Sequence, residues 1–358
     1  MKKYYLNNIR WSTVILVLIY HVGFMFNGVG VIGGISCAES IAAFDGMAYI
    51  VYPWFMVLLF VIAGMSARYS LRKRTIKQFL KERITKLLIP STLGLLVLHW
   101  ITGYLNLKMG GALPYVPSFL VYPISAVCGI GPLWFIQTLF LFSCVIALLS
   151  KLDRNDRIGK CCERCNIGIV LLLFFPIWGS AQIWNVPVLT MYRLGIYFTS
   201  FAIGYYILSQ DKIQLAIAGI HVPMLVFTMI LAVYYVFHYY GQSYSSSECL
   251  QSALTNLYLW AAVLAVLGCG KAWFDRSNSC TEYLTRVSFG IYIVHYPVLT
   301  VACYLLIYYF NLPAVWNYII ALFVELTGAF ILSEVIRRIP VINCLVLGIT
   351  KNEKGQKQ

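Results

Sequence analysis

The sequence predicts an all-α fold: a polytopic membrane helical bundle of about ten transmembrane helices, with both termini cytoplasmic and residues 1–358 forming a single membrane domain. Three observations carry that expectation. Of 358 residues, 60% are hydrophobic and 11% charged, with a mean hydropathy of +0.77, which leaves too few charged residues to clothe a soluble core of this size. The apolar residues gather into runs of about 20, the length at which a helix crosses the hydrocarbon layer of a bilayer. The basic residues then collect on alternate sides of those runs. The net charge of +14 therefore reports topology and not a nucleic-acid partner, because the segments that would build a basic binding face are almost all apolar.

In chain order, the first run lies near 11–32, after Lys2, Lys3 and Arg10. It reads as a retained span and not a removed leader, since its loss would leave an odd number of crossings and put one terminus on the wrong side of the charge pattern. A second run occupies 47–66. The following stretch carries Arg68, Arg72, Lys73, Arg74, Lys77, Lys81, Arg83 and Lys86 against one acid, Glu82, and would bind anionic headgroups and fix orientation. Runs at 87–107 and 131–150 come next, separated by an outer loop with Lys108. The inner stretch 151–166 is basic again and holds Cys161, Cys162 and Cys165. No second ligand pair follows at matching spacing, so free reduced thiols are expected there, with no metal site and no disulfide framework. Runs at 167–185, 188–208, 215–238, 251–270, 287–310 and 316–336 complete the bundle. With the N-terminus inside, only Lys108 and Arg193 of the 27 basic residues fall elsewhere than on the cytoplasmic side.

Ionisable groups within a span are costly, and each is a candidate site residue until a structural partner explains it. His21, His99 and His295 fall near mid-depth, Glu325 lies inside the last run, and Arg193 is shallower. Taken singly, such a group is most simply a hydrogen-bond partner between helices. Spacing sets one pair apart. Arg10 and His21 are eleven residues apart, close to three full turns, so they share a helix face roughly 16 Å apart. A fixed cation at the inner mouth thus stands in line with a mid-membrane group able to accept or donate a proton. Arg83 and Lys86, one turn apart before Pro90, form a second cationic pair suited to a polyphosphate ligand as well as to lipid.

Several motifs, in order along nearly the whole chain, resemble those of the integral-membrane acyltransferase 3 family. They are Asn8-Ile9-Arg10 with His21; Phe60-Val61-Ile62-Ala63-Gly64, with Ala63 where the family has Ser; and Phe79 to Pro90, which contains Arg83 and Lys86. Leu133-Trp134-Phe135-Ile136 and Ile291-Tyr292-Ile293-Val294-His295-Tyr296-Pro297 follow. The resemblance implies transfer of an acyl group, acetyl or succinyl, from cytoplasmic acyl-coenzyme A to a hydroxyl of a carbohydrate or related acceptor on the outer side, with no tightly bound cofactor. It implies that His21 is the catalytic histidine and that Arg10, Arg83 and Lys86 hold the donor phosphates. Lys86 stands where the family usually has Arg, which keeps the charge but loses the two-pronged grip on phosphate.

His21 would act as general base on the acceptor hydroxyl or would carry the acyl group itself. Glu325, His295 and Trp134 are secondary candidates: Glu325 to orient an imidazole or shuttle its proton, the other two as members of matching motifs. Each is equally read as a helix-packing residue. Some members of the family add an extracellular domain after the last span; this sequence carries none, so transfer is expected to be completed by the membrane domain or a separate partner. The rival expectation is a proton-coupled carrier or a non-catalytic uptake protein, which would also use mid-membrane His and Glu. Paired halves with interrupted helices are not evident, and a carrier has no need of a cation cluster at one mouth.

Overall fold

The computed structural model describes residues 3–29, 31, 39–153, 155–186, 192–310 and 312–349. Regular structure among them is helical apart from one isolated bridge between Asn185 and Arg193. Eight helices are long and apolar enough to cross a membrane: α1 Tyr4–Met25, α2 Ala42–Leu71, α3 Ile76–Met109, α4 Leu133–Leu152, α5 His221–Tyr239, α6 Ala253–Trp273, α7 Ser279–Tyr309 and α8 Ala314–Arg338. The other two expected spans, 167–185 and 188–208, correspond to the shorter apolar helices Ile167–Ser180 and Leu194–Leu208. The first of these is broken at Leu173, where Pro176 cannot donate to the carbonyl four residues earlier. The short helices are consecutive, so counting both as crossings or neither leaves every later helix with the same sense. Residues 188–191 of the expected 188–208 span and the chain ends at 1–2 and 350–358 lie outside the described residues.

The basic stretch after α2 is a short turn over residues 72–75 followed by helix. Thr75 and Gln78 form a reciprocal capping box, so α3 begins at Ile76 and carries Arg83 and Lys86 within the helix instead of before it. Ile84–Leu88 is wound as a π-helical turn, with the Ile89 N–H reaching the Ile84 carbonyl. Pro90 lacks the N–H that would continue the ordinary ladder here, and a widened turn accommodates the loss. Gly348, in the left-handed region at φ 63°, lies so close to the Thr85 carbonyl that a side chain there would overlap it. The segment after the short helix Pro340–Leu347 thus seals one side of the widened turn.

α1 occupies the middle of the bundle, packed against α2, α6, α7 and α8. Asn8 fixes its inner end by donating to the carbonyls of Phe274 and Arg276 at 2.7 and 2.9 Å, which ties α1 to the α6–α7 connection. α2 crosses Leu194–Leu208 at bare backbone: Gly64 lies on the Phe201 carbonyl and Gly204 on that of Val61, a small-residue crossing that lets two membrane helices approach closely. Arg68, at the inner end of α2, is buried, pairs with Asp156 and covers the Tyr205 ring, so it ties the 151–166 stretch to the bundle. α3, α5 and α8 are the outward-facing helices, only 28%, 22% and 28% buried in their apolar windows, with Phe237 of α5 and Phe323 of α8 turned outward.

Candidate active site

Two cavities lie end to end along α1. The inner one, about 340 Å³, is lined by Arg10 of α1, Arg83 and Lys86 of α3, and Arg286 of α7. Of the eight basic residues in 67–86, only Arg83 and Lys86 reach it. Arg83 lies 4.8 Å over the Phe79 ring and its Nε has no hydrogen-bond partner. Lys86 is 3.3 Å from Glu82, which also pairs with Arg74, so Lys86 brings its own counter-charge in direct contact, whereas Glu82 acts on Arg83 only through its field. Ala63 and Ser66 of α2 line the same space; the position at which the resembling family carries Ser therefore faces this cavity as a methyl group. Four cations drawn from three helices make a mouth suited to a polyanion.

The outer cavity, about 100 Å³, is lined by His21, Trp134, Arg193, Tyr197 and Tyr296, among others. Tyr292 is common to both cavities and forms the partition between them. Its hydroxyl donates to the Pro132 carbonyl at 2.7 Å, which locks α7 to the start of α4. Trp134 and Phe135 then fall on opposite sides of the partition, the first lining the outer cavity and the second the inner.

At the floor of the outer cavity two imidazoles meet: His21 Nδ1 is 3.2 Å from His295 Nε2. The other nitrogen of His295, Nδ1, is 2.7 Å from the Tyr292 carbonyl. A carbonyl only accepts, so His295 Nδ1 carries a proton. With both rings neutral, His295 Nε2 is then an acceptor, His21 Nδ1–H donates to it, and His21 Nε2 carries the lone pair; the Val17 carbonyl is a further hydrogen-bond neighbour of His21. The pair thus fixes the tautomer of His21 in the form a base or nucleophile needs.

A third imidazole holds the second in place. Pro297 interrupts α7 and cannot donate to the carbonyl of Ile293, four residues earlier. His99 Nε2 approaches that carbonyl at 2.9 Å, and its Nδ1 lies 3.2 Å from the Gly129 carbonyl. A neutral imidazole has one N–H; in the tautomer that places it on Nε2, the nitrogen with the shorter contact, His99 replaces the missing helix donor within the turn that presents His295. His99→Phe is expected to lower turnover about tenfold, the equivalent of roughly 1.4 kcal/mol, while affinity for a ligand of the inner cavity, which His99 does not line, stays constant. Initial rates and calorimetric titration check this, and equal losses in both would mean that the bundle, not the turn, had been damaged.

Glu325 does not join this group. It is fully buried, and neither carboxylate oxygen has a hydrogen-bond partner among the described residues; its electrostatic neighbours are Tyr296 and Cys303. Among the described residues it makes no hydrogen bond to His21 or His295, and the side chain in hydrogen-bond contact with His21 is His295. Sequence reasoning set His99 and His295 apart by depth but gave no pairing. Arg286 was hidden among the inner-side cations, and nothing local distinguishes it from Arg276.

A central helix carrying a cation and a histidine, with one cavity at each, defines a helical membrane protein with two internal cavities. The family model described as an acyltransferase domain matches residues 3–334, and the chain belongs to that family, acyltransferase 3. No curated protein and no solved structure matches it.

Proposed function

We propose that this membrane acyltransferase moves an acyl group, acetyl or succinyl, from cytoplasmic acyl-coenzyme A to a hydroxyl of an extracytoplasmic carbohydrate or related acceptor. The observation that carries the reading is the pair of cavities meeting at Tyr292, basic on one side and holding the His21 lone pair on the other. The donor phosphates lie among Arg10, Arg83, Lys86 and Arg286, and the thioester points past Tyr292 toward His21. The acceptor enters the outer cavity. His21 Nε2 takes the proton of its hydroxyl as the oxygen attacks the thioester carbon; the carbon–sulfur bond breaks, the acyl ester forms, and the proton passes to the departing coenzyme A thiolate. His295 holds His21 in the required tautomer and spreads the charge of the transient imidazolium.

The test uses purified protein in sealed vesicles with labelled acetyl-coenzyme A on the side of the basic mouth. Acceptor-dependent release of coenzyme A thiol, with label appearing on a glycan acceptor on the opposite side, is expected. Intact donor or free acyl group crossing without transfer would identify a carrier instead. A burst of thiol release stoichiometric with enzyme, seen without acceptor, would replace the general-base step with an acyl-histidine.

A further inference from the structure

Arg193 stands at the start of the Leu194–Leu208 helix, is only 4% exposed and lines the outer cavity beside His21. Its Nη2 donates to the Leu250 carbonyl at 3.0 Å. Among the described residues no carboxylate lies within ion-pair distance of it, and the neighbouring undescribed residues 187–191 contain no acid. A buried guanidinium without a counter-ion is costly. Everything else about the cavity is built to receive a ligand: its wall is aromatic and phenolic, and the catalytic imidazole is on its floor. The positive end of the helix adds to the same local potential.

We infer that Arg193 receives a carboxylate carried by the substrate, so that this enzyme's reaction partners include an anionic group lodged beside His21. The inference rests on the acyl-transfer reading above. Arg presents a planar fork matched to a carboxylate, and one nitrogen bonded to Leu250 leaves the others to make that contact. The cavity, of about 100 Å³, has room for a short acyl group or the edge of a sugar. Two sources supply the chemistry: the far carboxylate of a dicarboxylic acyl group, or the carboxylate of a uronic acid in the acceptor.

The experiment compares wild type, Arg193→Gln and Arg193→Lys in nanodiscs. Gln keeps an amide donor for the Leu250 carbonyl without charge; Lys keeps the charge without the fork. One arm measures kcat/KM for succinyl- against butyryl-coenzyme A. The other uses acetyl-coenzyme A with glucuronate-containing against glucose-only oligosaccharides. In Arg193→Gln the anionic-to-neutral ratio is expected to fall about tenfold in one arm, with partial recovery in Arg193→Lys, and the arm that responds names the source. Ratios unchanged in both arms would overturn the inference while leaving acyl transfer intact. Thermal unfolding with succinate and with glucuronate gives a readout independent of turnover. If wild type consumed no coenzyme A donor, the acyl-transfer reading would fall. Anion protection present in wild type and lost in Arg193→Gln would still support the Arg193 site, whereas protection absent or equal in both proteins would remove it.

Discussion

His21→Ala is expected to reduce acyl transfer by about 10²- to 10⁴-fold, the usual contribution of a positioned general base, while the protein remains inserted, folded and able to bind coenzyme A. The selectivity follows from the geometry. His21 meets one side chain from another helix, His295, besides the Val17 carbonyl of its own helix, and an interhelical hydrogen bond in a membrane bundle is worth only about 0.6–1.7 kcal/mol, too little to decide folding. The inner cavity, where the donor phosphates are proposed to lie, does not include His21. Substitutions at His295 separate positioning from packing. His295→Gln retains a carbonyl that can accept from His21 Nδ1–H and should keep more activity than His295→Leu, which offers no acceptor and frees the tautomer. The measurements are initial transfer rates, abundance in the membrane fraction and coenzyme A titration on equal amounts of folded protein. Near wild-type transfer by His21→Ala at normal abundance would sink the mechanism, and equal activity in the two His295 variants would confine that residue to helix packing.

The parts of this molecule that were legible in the sequence are those set locally. Run length and the placement of Lys and Arg give the helical membrane fold, and the eleven-residue interval puts Arg10 and His21 on one face because helical pitch is a property of the backbone. The parts that were not legible depend on contacts between distant segments. His21 and His295 are 274 positions apart in the chain, and no periodicity announces that two mid-depth histidines from different helices will touch. His99 could be seen as a buried imidazole and Pro297 as a helix breaker, but their complementarity needs α3 and α7 side by side. Within the expected span 167–185 the apolar content does not announce the break at Leu173, which Pro176 imposes on the helix. Starting the third span at 87 instead of Ile76 followed from charge. Lysines and arginines end an apolar run, yet they are good helix formers and do not end a helix.

Arg83→Ala is expected to raise the KM for acyl-coenzyme A by roughly ten- to a hundredfold, corresponding to the loss of charge-assisted contacts worth about 1.5–3 kcal/mol, with little change in the acceptor KM. Arg83 shares the inner cavity with Arg10, Lys86 and Arg286, and its Nε is unpaired in the ligand-free protein, so a phosphate gains contacts there without breaking an existing hydrogen bond to that nitrogen. Lys86 behaves differently. Its 3.3 Å pairing with Glu82 must be weakened or shared when the donor arrives, so Lys86→Ala should cost less than Arg83→Ala. Glu82→Gln should tighten donor binding by removing the competing charge. Lys86→Arg should preserve or improve affinity, because guanidinium adds a second hydrogen bond to phosphate. All these differences should shrink as ionic strength rises, since the mouth is open to solvent and its long-range attraction is screened over about 10 Å at 0.1 M salt. If the cations served only to hold lipid headgroups and orient the chain, Arg83→Ala would instead lower the amount of correctly inserted protein and leave each surviving molecule with normal donor affinity. Calorimetric titration with coenzyme A at two salt concentrations distinguishes these outcomes, and an unchanged affinity in Arg83→Ala would remove that residue from the donor site.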